Sequence, residues 1–387
     1  MPQKILYLVS EDWYFVSHRL PMARAARAAG YEVHVATRID KHAPQIVDEG
    51  FILHPVEWRR GSMNVFRFIA TVIQVRRLYR LLRPDLVHHV ALVPTVVGSF
   101  AALGLPMQRL NAFAGLGYVF TSETAKARLA RALAAPVLGW LLRWPGASVL
   151  VQNPDDRAVA LRLGIPAERI SLIPGSGIDV DSLTAMPEPS GPFTIGFVGR
   201  LLDDKGVRTL VQAHDILSGC GVTVRALIAG EPDPSNPASI PQQTLAGWHK
   251  RPNLVLLGHV DDIRTVWREA HVAVLPSRRE GLPKSLLEAA ACGRPLIATD
   301  VPGCREIARH GVNALLVPAD NPPALADAIE TLMKDAELRQ RFGRAARQLV
   351  LDQFSSARIG REIVALYARL LAGAAGAKSA LRERPAS

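Results

Sequence analysis

One stretch decides the fold of this chain: His271-Val-Ala-Val-Leu-Pro-Ser-Arg-Arg-Glu-Gly-Leu-Pro-Lys-Ser-Leu-Leu-Glu288. It joins an apolar strand, a tight turn and a helix start, whose backbone N–H groups lack intrahelical partners and suit a phosphate. Glu280 and Glu288 bracket the turn, and eight residues of helix make a little over two turns, so both carboxylates can lie near one face. Carboxylates accept hydrogen bonds from hydroxyl groups, as sugar binding requires. The stretch therefore predicts a strand–helix unit whose edge binds phosphate and hydroxyl groups.

Short apolar runs alternate with helical stretches along the rest of the chain, in two series. Such alternation predicts parallel sheets covered by helices on both faces. The predicted strands are 5–10, 32–37, 52–56, 85–90 and 149–153 in the first series, and 193–198, 223–229, 254–257, 271–275 and 296–299 in the second. A crossing rich in Pro and Gly at 186–192 separates the two series.

The 387 residues exceed what one hydrophobic core usually supports, so we expect an α/β protein of two Rossmann-like domains. The predicted domains are residues 1–187 and 188–355. A helix at 356–372 is expected to pack back toward the first domain, and residues 373–387 are expected to be disordered. Because ligands of open α/β sheets lie beyond the carboxyl ends of the strands, we expect the two domains to face each other across a binding cleft.

Composition favours a soluble globular protein, with 49% hydrophobic and 6% aromatic residues. Three cysteines without paired spacing favour reduced thiols over a disulfide framework or a zinc site. The N-terminal Met1-Pro-Gln-Lys leads directly into the first predicted strand, without the apolar region of a signal peptide. The expected location is therefore the cytoplasm.

The net charge of +11 is concentrated in the first half, where residues 1–150 carry 18 Lys or Arg against 9 Asp or Glu. Two segments without acidic residues, 58–84 and 124–144, mix arginines with apolar residues, and the second also carries Trp140 and Trp144. We interpret them as contacts to an anionic membrane surface or to lipid phosphates, and a solvated basic face is the alternative. Nucleic acid is not expected as a partner, because there is no recognised nucleic-acid fold and no aromatic ladder among the basic residues.

Three blocks of sequence follow one another in the second half of the chain. They are Gly196-Phe-Val-Gly-Arg-Leu-Leu-Asp-Asp-Lys-Gly206, the stretch from Glu280 to Glu288, and Glu288-Ala-Ala-Ala-Cys-Gly-Arg-Pro-Leu-Ile-Ala-Thr299 followed by Pro302-Gly303. Together they resemble the retaining glycosyltransferases of family 4, which have the GT-B fold. The resemblance is sharpest between residues 195 and 320.

The resemblance implies a donor site for a nucleotide diphosphate sugar, with UDP as the expected nucleotide. Arg200 and Lys205, two cations at the carboxyl end of an apolar strand, would contact the diphosphate. Glu280 would contact the donor sugar and Glu288 the ribose. Arg200, Lys205 and Glu280 are thus the expected catalytic residues. Further donor contacts are expected from Gly199, Val260, Gly281, Leu282 and Ser285.

The resemblance also implies transfer with retention and without a metal or another cofactor. Fixed cations would lower the barrier as the leaving diphosphate gains charge, and that phosphate could take the acceptor's proton. Metal-dependent transferases use an Asp-x-Asp motif. Asp179-Val-Asp181 matches that string but lies at the expected crossing between the domains, so no metal site is assigned to it.

The first half resembles a bacterial subgroup that builds surface polysaccharides, such as lipopolysaccharide and exopolysaccharide, on lipid carriers. The blocks that carry this resemblance are 10–21, 85–94 and 111–120. Many relatives have a histidine where this chain has Ala114. We therefore expect other residues on the acceptor side, namely His18, Arg19, His88, Asn111 and Gly115.

The expected activity is transfer of a hexose or N-acetylhexosamine to a saccharide acceptor carried on a polyprenyl diphosphate, at the inner face of the cell membrane. Two alternatives stay open. A nucleotide-sugar 2-epimerase also has two facing Rossmann-like domains, but lacks this glutamate pair. A non-catalytic GT-B binding protein would keep the fold and lose the motif.

Overall fold

The computed structural model describes residues 2–58, 64–113, 135–234 and 236–382, with side chains up to Gly373. The chain forms two compact units. The first (unit 1) contains the residues up to Gly177 together with those from Ser356 onward, and the second (unit 2) is Ile178–Ser355.

Unit 1 contains a parallel sheet of seven strands in the order β3-β2-β1-β4-β5-β6-β7. The strands are β1 (Lys4–Glu11), β2 (Glu32–Arg38), β3 (Ile52–Pro55), β4 (Leu86–Val90), β5 (Gln108–Ala112), β6 (Ala147–Val151) and β7 (Ile170–Leu172). Its helices within the described ranges are Asp12–His18, Leu20–Ala28, Ala43–Asp48, Val65–Leu82, Leu92–Ala101, 135–143, Pro154–Arg162 and Ser356–Arg382. The central strands are buried along most of their length, as expected for a parallel sheet covered on both faces.

Unit 2 contains a parallel sheet of six strands in the order β10-β9-β8-β11-β12-β13. The strands are β8 (Thr194–Val198), β9 (Arg225–Ala229), β10 (Leu254–Gly258), β11 (Val272–Leu275), β12 (Leu296–Thr299) and β13 (Ala314–Val317). Its described α-helices are Val207–Gly219, Gln242–Trp248, Arg264–Glu269, Lys284–Ala291, Cys304–Ile307, Pro322–Lys334 and Ala336–Gln353. The strand order reverses between β8 and β11, as it does between β1 and β4 in unit 1, and ligands of doubly wound sheets bind at such switch points.

The boundary between the units lies earlier than the predicted 187/188, because the segment from Ile178 onward is held by unit 2. The backbone N–H of Ile178 donates to the Phe354 carbonyl at 2.8 Å, and that of Met186 donates to the Cys292 carbonyl at 3.1 Å. The Arg347 guanidinium donates to the Val180 carbonyl at 3.0 Å. These hydrogen bonds assign residues 178–187 to unit 2.

The last described helix, Ser356–Arg382, belongs to unit 1 and packs against the helix Leu20–Ala28. It contributes Ile359, Ile363 and Tyr367 to the unit 1 core. The predicted end at 372 is too early, because the helix continues to Arg382. Residues 383–387 lie outside the described part of the chain.

Candidate functional site

The stretch Glu280–Glu288 follows β11 at the switch point of unit 2, next to the loop that follows β8. That second loop contains Gly199 and Arg200, and it ends in a short 3₁₀ turn, Asp203–Lys205. Gly206 comes next with a left-handed φ of 70°, and a Cβ there would overlap the Pro276 carbonyl. Glycine therefore lets the two loops approach each other at this edge of the sheet.

Lys205 and Glu280 are brought into direct contact. The Lys205 Nζ donates to Glu280 Oε1 at 2.6 Å, and the Ser277 hydroxyl donates to the same oxygen at 2.7 Å. The Glu280 side chain is 8% exposed and that of Lys205 is 25% exposed. Ser277 is itself buried, and its carbonyl accepts a hydrogen bond from the Thr299 hydroxyl. The carboxylate is thus oriented by two donors, while the ammonium keeps access to solvent.

Arg200 is the second predicted cation of this edge. Its Nη1 donates to Asp233 Oδ2 at 3.0 Å, and its side chain is 49% exposed. Asp233 belongs to the loop after β9, the neighbour of β8 in the sheet. A phosphate that binds Arg200 would compete with this carboxylate for the guanidinium.

Glu288 lies in the helix Lys284–Ala291 and pairs with Lys284 at 3.4 Å. Burial raises the pKa of Glu288, and the charge of Lys284 opposes that rise. The structure therefore gives the two predicted glutamates different partners, Lys205 for Glu280 and Lys284 for Glu288.

Gly303 lies directly against the turn between the two glutamates. This residue has a φ of 80°, and a Cβ there would overlap the carbonyls of Glu280 and Gly281. Leu282 packs against the unit 2 core, and Ser285 lies in the first turn of the helix that begins after Pro283. Within the residues that the structure describes, no side chain caps that helix start, so its first N–H groups are available to a ligand.

Val260 follows β10, which is two strands away from β8 in the sheet. Two strand spacings correspond to about 10 Å. Val260 is partly buried against the unit 2 core. It follows a strand at the same sheet edge as Lys205 and Glu280, two strands from β8 and three from β11.

On the acceptor side, two predicted residues lie at the end of the helix Asp12–His18, which follows β1. His18 is half-buried and stacks on Tyr14, with ring centroids 4.3 Å apart. Arg19, expected to face the acceptor, is instead only 1% exposed and donates to the His18 carbonyl at 3.0 Å. It lies in the interior because it joins the helices Asp12–His18 and Leu20–Ala28. Burial therefore keeps Arg19 away from an acceptor.

His88, the next predicted acceptor-side residue, is buried inside unit 1. Its Nδ1 forms a 2.7 Å hydrogen bond with the Tyr367 hydroxyl, which forms another of 2.7 Å with the Tyr7 hydroxyl. Burial lowers the pKa of His88 well below its usual range. A neutral histidine inside this network holds the last helix to the sheet.

Asn111 lies in a second buried network of unit 1. Its side chain bonds to His89 Nδ1 at 2.8 Å and donates to the Ser148 carbonyl at 3.2 Å. Burial also lowers the pKa of His89 to about 4. Asn111 is thus a structural residue here, while Gly115 and Ala114 lie outside the described residues.

Two residues of the donor edge were missed in the sequence. Ser277 orients Glu280, and Asp233 pairs with Arg200. Both residues could have been found in the sequence, because each follows the carboxyl end of a predicted strand that neighbours β8.

Two family models match the chain. One, described as "Glycosyl transferases group 1", matches residues 192–335, and the other, "Glycosyl transferase 4-like", matches residues 4–151. The chain therefore contains a 4-like glycosyltransferase domain followed by a group 1 glycosyltransferase domain. The resemblance to family 4 seen in the sequence is thereby confirmed.

This glycosyltransferase has relatives among curated proteins. It is 34% identical to the capsular polysaccharide biosynthesis glycosyltransferase CapM of Staphylococcus aureus, over 45% of this chain and 46% of that protein. The match thus spans about half of CapM. It is 24% identical to the N,N'-diacetylbacillosaminyl-diphospho-undecaprenol alpha-1,3-N-acetylgalactosaminyltransferase of Campylobacter jejuni, over 91% of this chain and 95% of that enzyme.

Among solved structures, the glycosyltransferase is similar to Anabaena HepE in complex with UDP and glucose. The TM-score is 0.78 at 18% identity, over 95% of this chain and 99% of that one. At this identity the likeness shows the fold alone. The fold is GT-B, built from two Rossmann-like units, as predicted from the sequence.

Two features are absent from the described residues. No helix among them combines the length and apolar character needed to cross a bilayer. They also contain no group of three or more His, Cys, Asp or Glu side chains arranged to hold a metal ion. Asp179, in the Asp-x-Asp string, accepts hydrogen bonds from the backbone N–H groups of Asp181 and Ser182, both at 3.1 Å.

Proposed function

We propose that this glycosyltransferase moves a hexose or N-acetylhexosamine from a UDP-sugar, with retention and without a metal, to a saccharide acceptor on a polyprenyl diphosphate. The observation that carries the donor half is the contact between Lys205 and Glu280 at the switch point of unit 2, with Arg200 on the same loop as Lys205. The HepE structure, which contains UDP and glucose, supports the donor class. The Campylobacter enzyme, named for a diphospho-undecaprenol acceptor, supports the acceptor class.

The donor edge has the charges that this reaction needs. As the bond between sugar and phosphate breaks, the leaving diphosphate gains negative charge, which fixed cations stabilise. An ammonium has three N–H donors, and Lys205 uses one of them on Glu280. Its remaining donors, together with Arg200 and the helix start after Pro283, are in position to bind phosphate oxygens.

Glu280 is suited to hold the sugar in place. A carboxylate has about four lone-pair positions. Oε1 is occupied by Lys205 and Ser277, so the orientation of the carboxylate is fixed before the donor arrives. Sugar hydroxyls can donate to the remaining positions. In the proposed mechanism the leaving phosphate takes the acceptor's proton, so no protein nucleophile is required.

A surface of unit 1 suits an anionic membrane. The helix Val65–Leu82 exposes Phe66 (83%), Ile69 (48%) and Ile73 (45%). Their spacing of three and four residues places them in one stripe, which continues through the exposed Arg77 and Arg80. Apolar side chains can enter the headgroup region while arginines bind lipid phosphates. We propose that this stripe holds the protein on the cytoplasmic face of the cell membrane.

Arg76 does not belong to this stripe, although the sequence groups it with its basic neighbours. Its Nη1 donates to the carbonyls of Ala101 at 2.8 Å and Leu103 at 2.7 Å. Arg76 thus holds the helix against the rest of unit 1.

Replacing Arg77 and Arg80 by Glu should release the protein from vesicles rich in phosphatidylglycerol, as measured by sedimentation. Unchanged binding of this variant would contradict the membrane proposal.

Activity is tested by incubating the full-length protein with single UDP-sugars and a polyprenyl-diphosphate-linked saccharide, with products followed by mass spectrometry. We expect an acceptor extended by one sugar, and a loss of about 100-fold or more in Lys205→Gln. Lys250→Gln, an exposed lysine of the same unit outside the proposed site, is the matched control and should keep full activity. Epimerised nucleotide sugar without acceptor would favour the epimerase, and absence of turnover with every donor would favour a binding protein.

A further inference from the structure

Unit 2 contains a second concave site, at the opposite end of its sheet from Glu280. The cavity has a volume of about 420 Å³, within the usual range for small-molecule sites. It lies where β11 and β12 begin, next to His271 and Pro295, and is bordered by residues 185–188 and by the helix Ala336–Gln353. Its charged or titratable lining residues are Glu188, His271, Arg294, Arg339, Arg344 and Arg347.

Three of the four arginines are held in place by hydrogen bonds, mostly to backbone carbonyls. Arg294, 2% exposed, donates to the carbonyls of Trp267 at 2.7 Å and Pro187 at 2.8 Å. Arg347 donates to the Ala291 carbonyl at 2.7 Å as well as to Val180. Arg339 donates to the Leu332 carbonyl at 2.6 Å and also pairs with Glu188. Carbonyl groups fix the orientation of a guanidinium but do not neutralise its charge.

The positive charge of this cavity is therefore largely uncompensated. Glu188 is the only carboxylate among the lining residues, all of which are described, against four guanidinium groups. His271 adds no charge near neutral pH, because burial lowers its pKa, and its Nδ1 accepts a hydrogen bond from the Thr194 N–H at 3.1 Å. Arg344 is exposed and forms no hydrogen bond or ion pair with any residue that the structure describes. Like charges held together at reduced solvent access are unfavourable unless an anion joins them.

We propose that this cavity binds a phosphate group, either inorganic phosphate or the phosphate of a small ester. Guanidinium groups donate charged hydrogen bonds to phosphate oxygens, and here three of them are held in place by carbonyl groups or by Glu188, while Arg344 stays exposed beside them. The ligand would link the segment Ala185–Glu188 to the helix Ala336–Gln353 and so stabilise unit 2. This site is separate from the donor edge, since Glu280 and His271 lie beyond opposite ends of β11.

The test is titration of the full-length protein with inorganic phosphate at low salt, by calorimetry and by thermal shift. Glucose 6-phosphate in a parallel titration distinguishes the ester from the free ion, and tighter binding of either supports the proposal. Arg344→Gln should weaken binding about tenfold, since it removes a charged donor. Because Arg344 is exposed, this variant should unfold at the wild-type temperature without phosphate. Arg341→Gln, an exposed arginine of the same helix outside the cavity, should bind like the wild type.

Phosphate could also bind the donor edge, so Lys205→Gln is the second control and should retain the phosphate affinity of the wild type. The proposal is overturned if phosphate and the ester fail to bind at millimolar concentration, or if Arg344→Gln binds as tightly as the wild type. It is equally overturned if Lys205→Gln abolishes the signal. None of these outcomes depends on transfer activity.

Discussion

The contact between Lys205 and Glu280 allows a quantitative prediction, because it is a short and partly buried ion pair between the two loops of the donor edge. Removing either partner leaves the other charge with a neutral neighbour, and hydrogen bonds to charged groups contribute about 1.5–3 kcal/mol. Lys205 is 25% exposed, so solvent screens part of this interaction. We therefore expect a coupling free energy near the lower limit, about 1.5 kcal/mol.

The measurement is a double-mutant cycle of Lys205→Gln, Glu280→Gln and the combined variant in urea unfolding. The matched control is the pair Arg225 and Glu269, which has the same 2.6 Å separation but side chains that are 35% and 53% exposed. Its coupling should be about 0.5 kcal/mol or less. Equal coupling free energies in the two cycles would refute the conclusion that burial strengthens the pair Lys205 and Glu280.

The same variants make a kinetic prediction. Each single replacement should lower kcat/KM for the UDP-sugar about 100-fold, and the combined variant should lose little more, because the position of Lys205 depends on Glu280. A combined loss near 10,000-fold, the product of the two, would show that the residues act independently. That result would contradict the proposed preorganisation.

Three further predictions concern residues around the same edge. Asp233→Asn should free Arg200 for phosphate and lower the Kd for UDP about threefold by calorimetry; a weaker UDP complex would mean that Asp233 positions Arg200 instead of competing for it. Gly206→Ala should lower the free energy of unfolding by about 2 kcal/mol or more, since it combines a left-handed φ with overlap of the Pro276 carbonyl. Gly219→Ala, whose Cβ would meet no atom within 4 Å, is its control, and equal losses in both would refute the steric argument. Glu288 has a pKa raised by burial above its ordinary 4.5, so its ionisation costs stability as the pH rises through and above that value. The Tm of Glu288→Gln relative to that of the wild type should therefore rise as the pH increases from about 4 to about 7. A Tm difference that does not change with pH would contradict the raised pKa.

The strands missed in the sequence show where hydrophobic patterning is insufficient. β5, Gln108–Ala112, contains Arg109 and Asn111, which are buried because they find polar partners from distant parts of unit 1. β7 and β13 have three and four residues, too few for a clear pattern.

The residues of the candidate site also differ in how well the sequence predicts their surroundings. The donor edge was predictable because Lys205, Glu280 and the glycines around them belong to local motifs that follow predicted strands. The surroundings of the acceptor-side residues were not, since His88 lies in the middle of β4 and Arg19 between two helices, and both polar side chains are buried in the fold. His88 forms a hydrogen bond with Tyr367, which lies 279 residues later in the chain, and no local sequence pattern predicts this contact.

The return of the last helix to unit 1 affects the order in which the protein can fold during synthesis. Unit 2, Ile178–Ser355, is continuous and completely synthesised before Ser356 is added. Unit 1 must wait, because Ile359, Ile363 and Tyr367 complete its core. Until they emerge from the ribosome, the apolar surface around Tyr7 and Phe15 is uncovered and His88 lacks its hydroxyl partner. For this chain, therefore, the domain that begins first is the one that finishes last, contrary to the usual order of domain folding during translation.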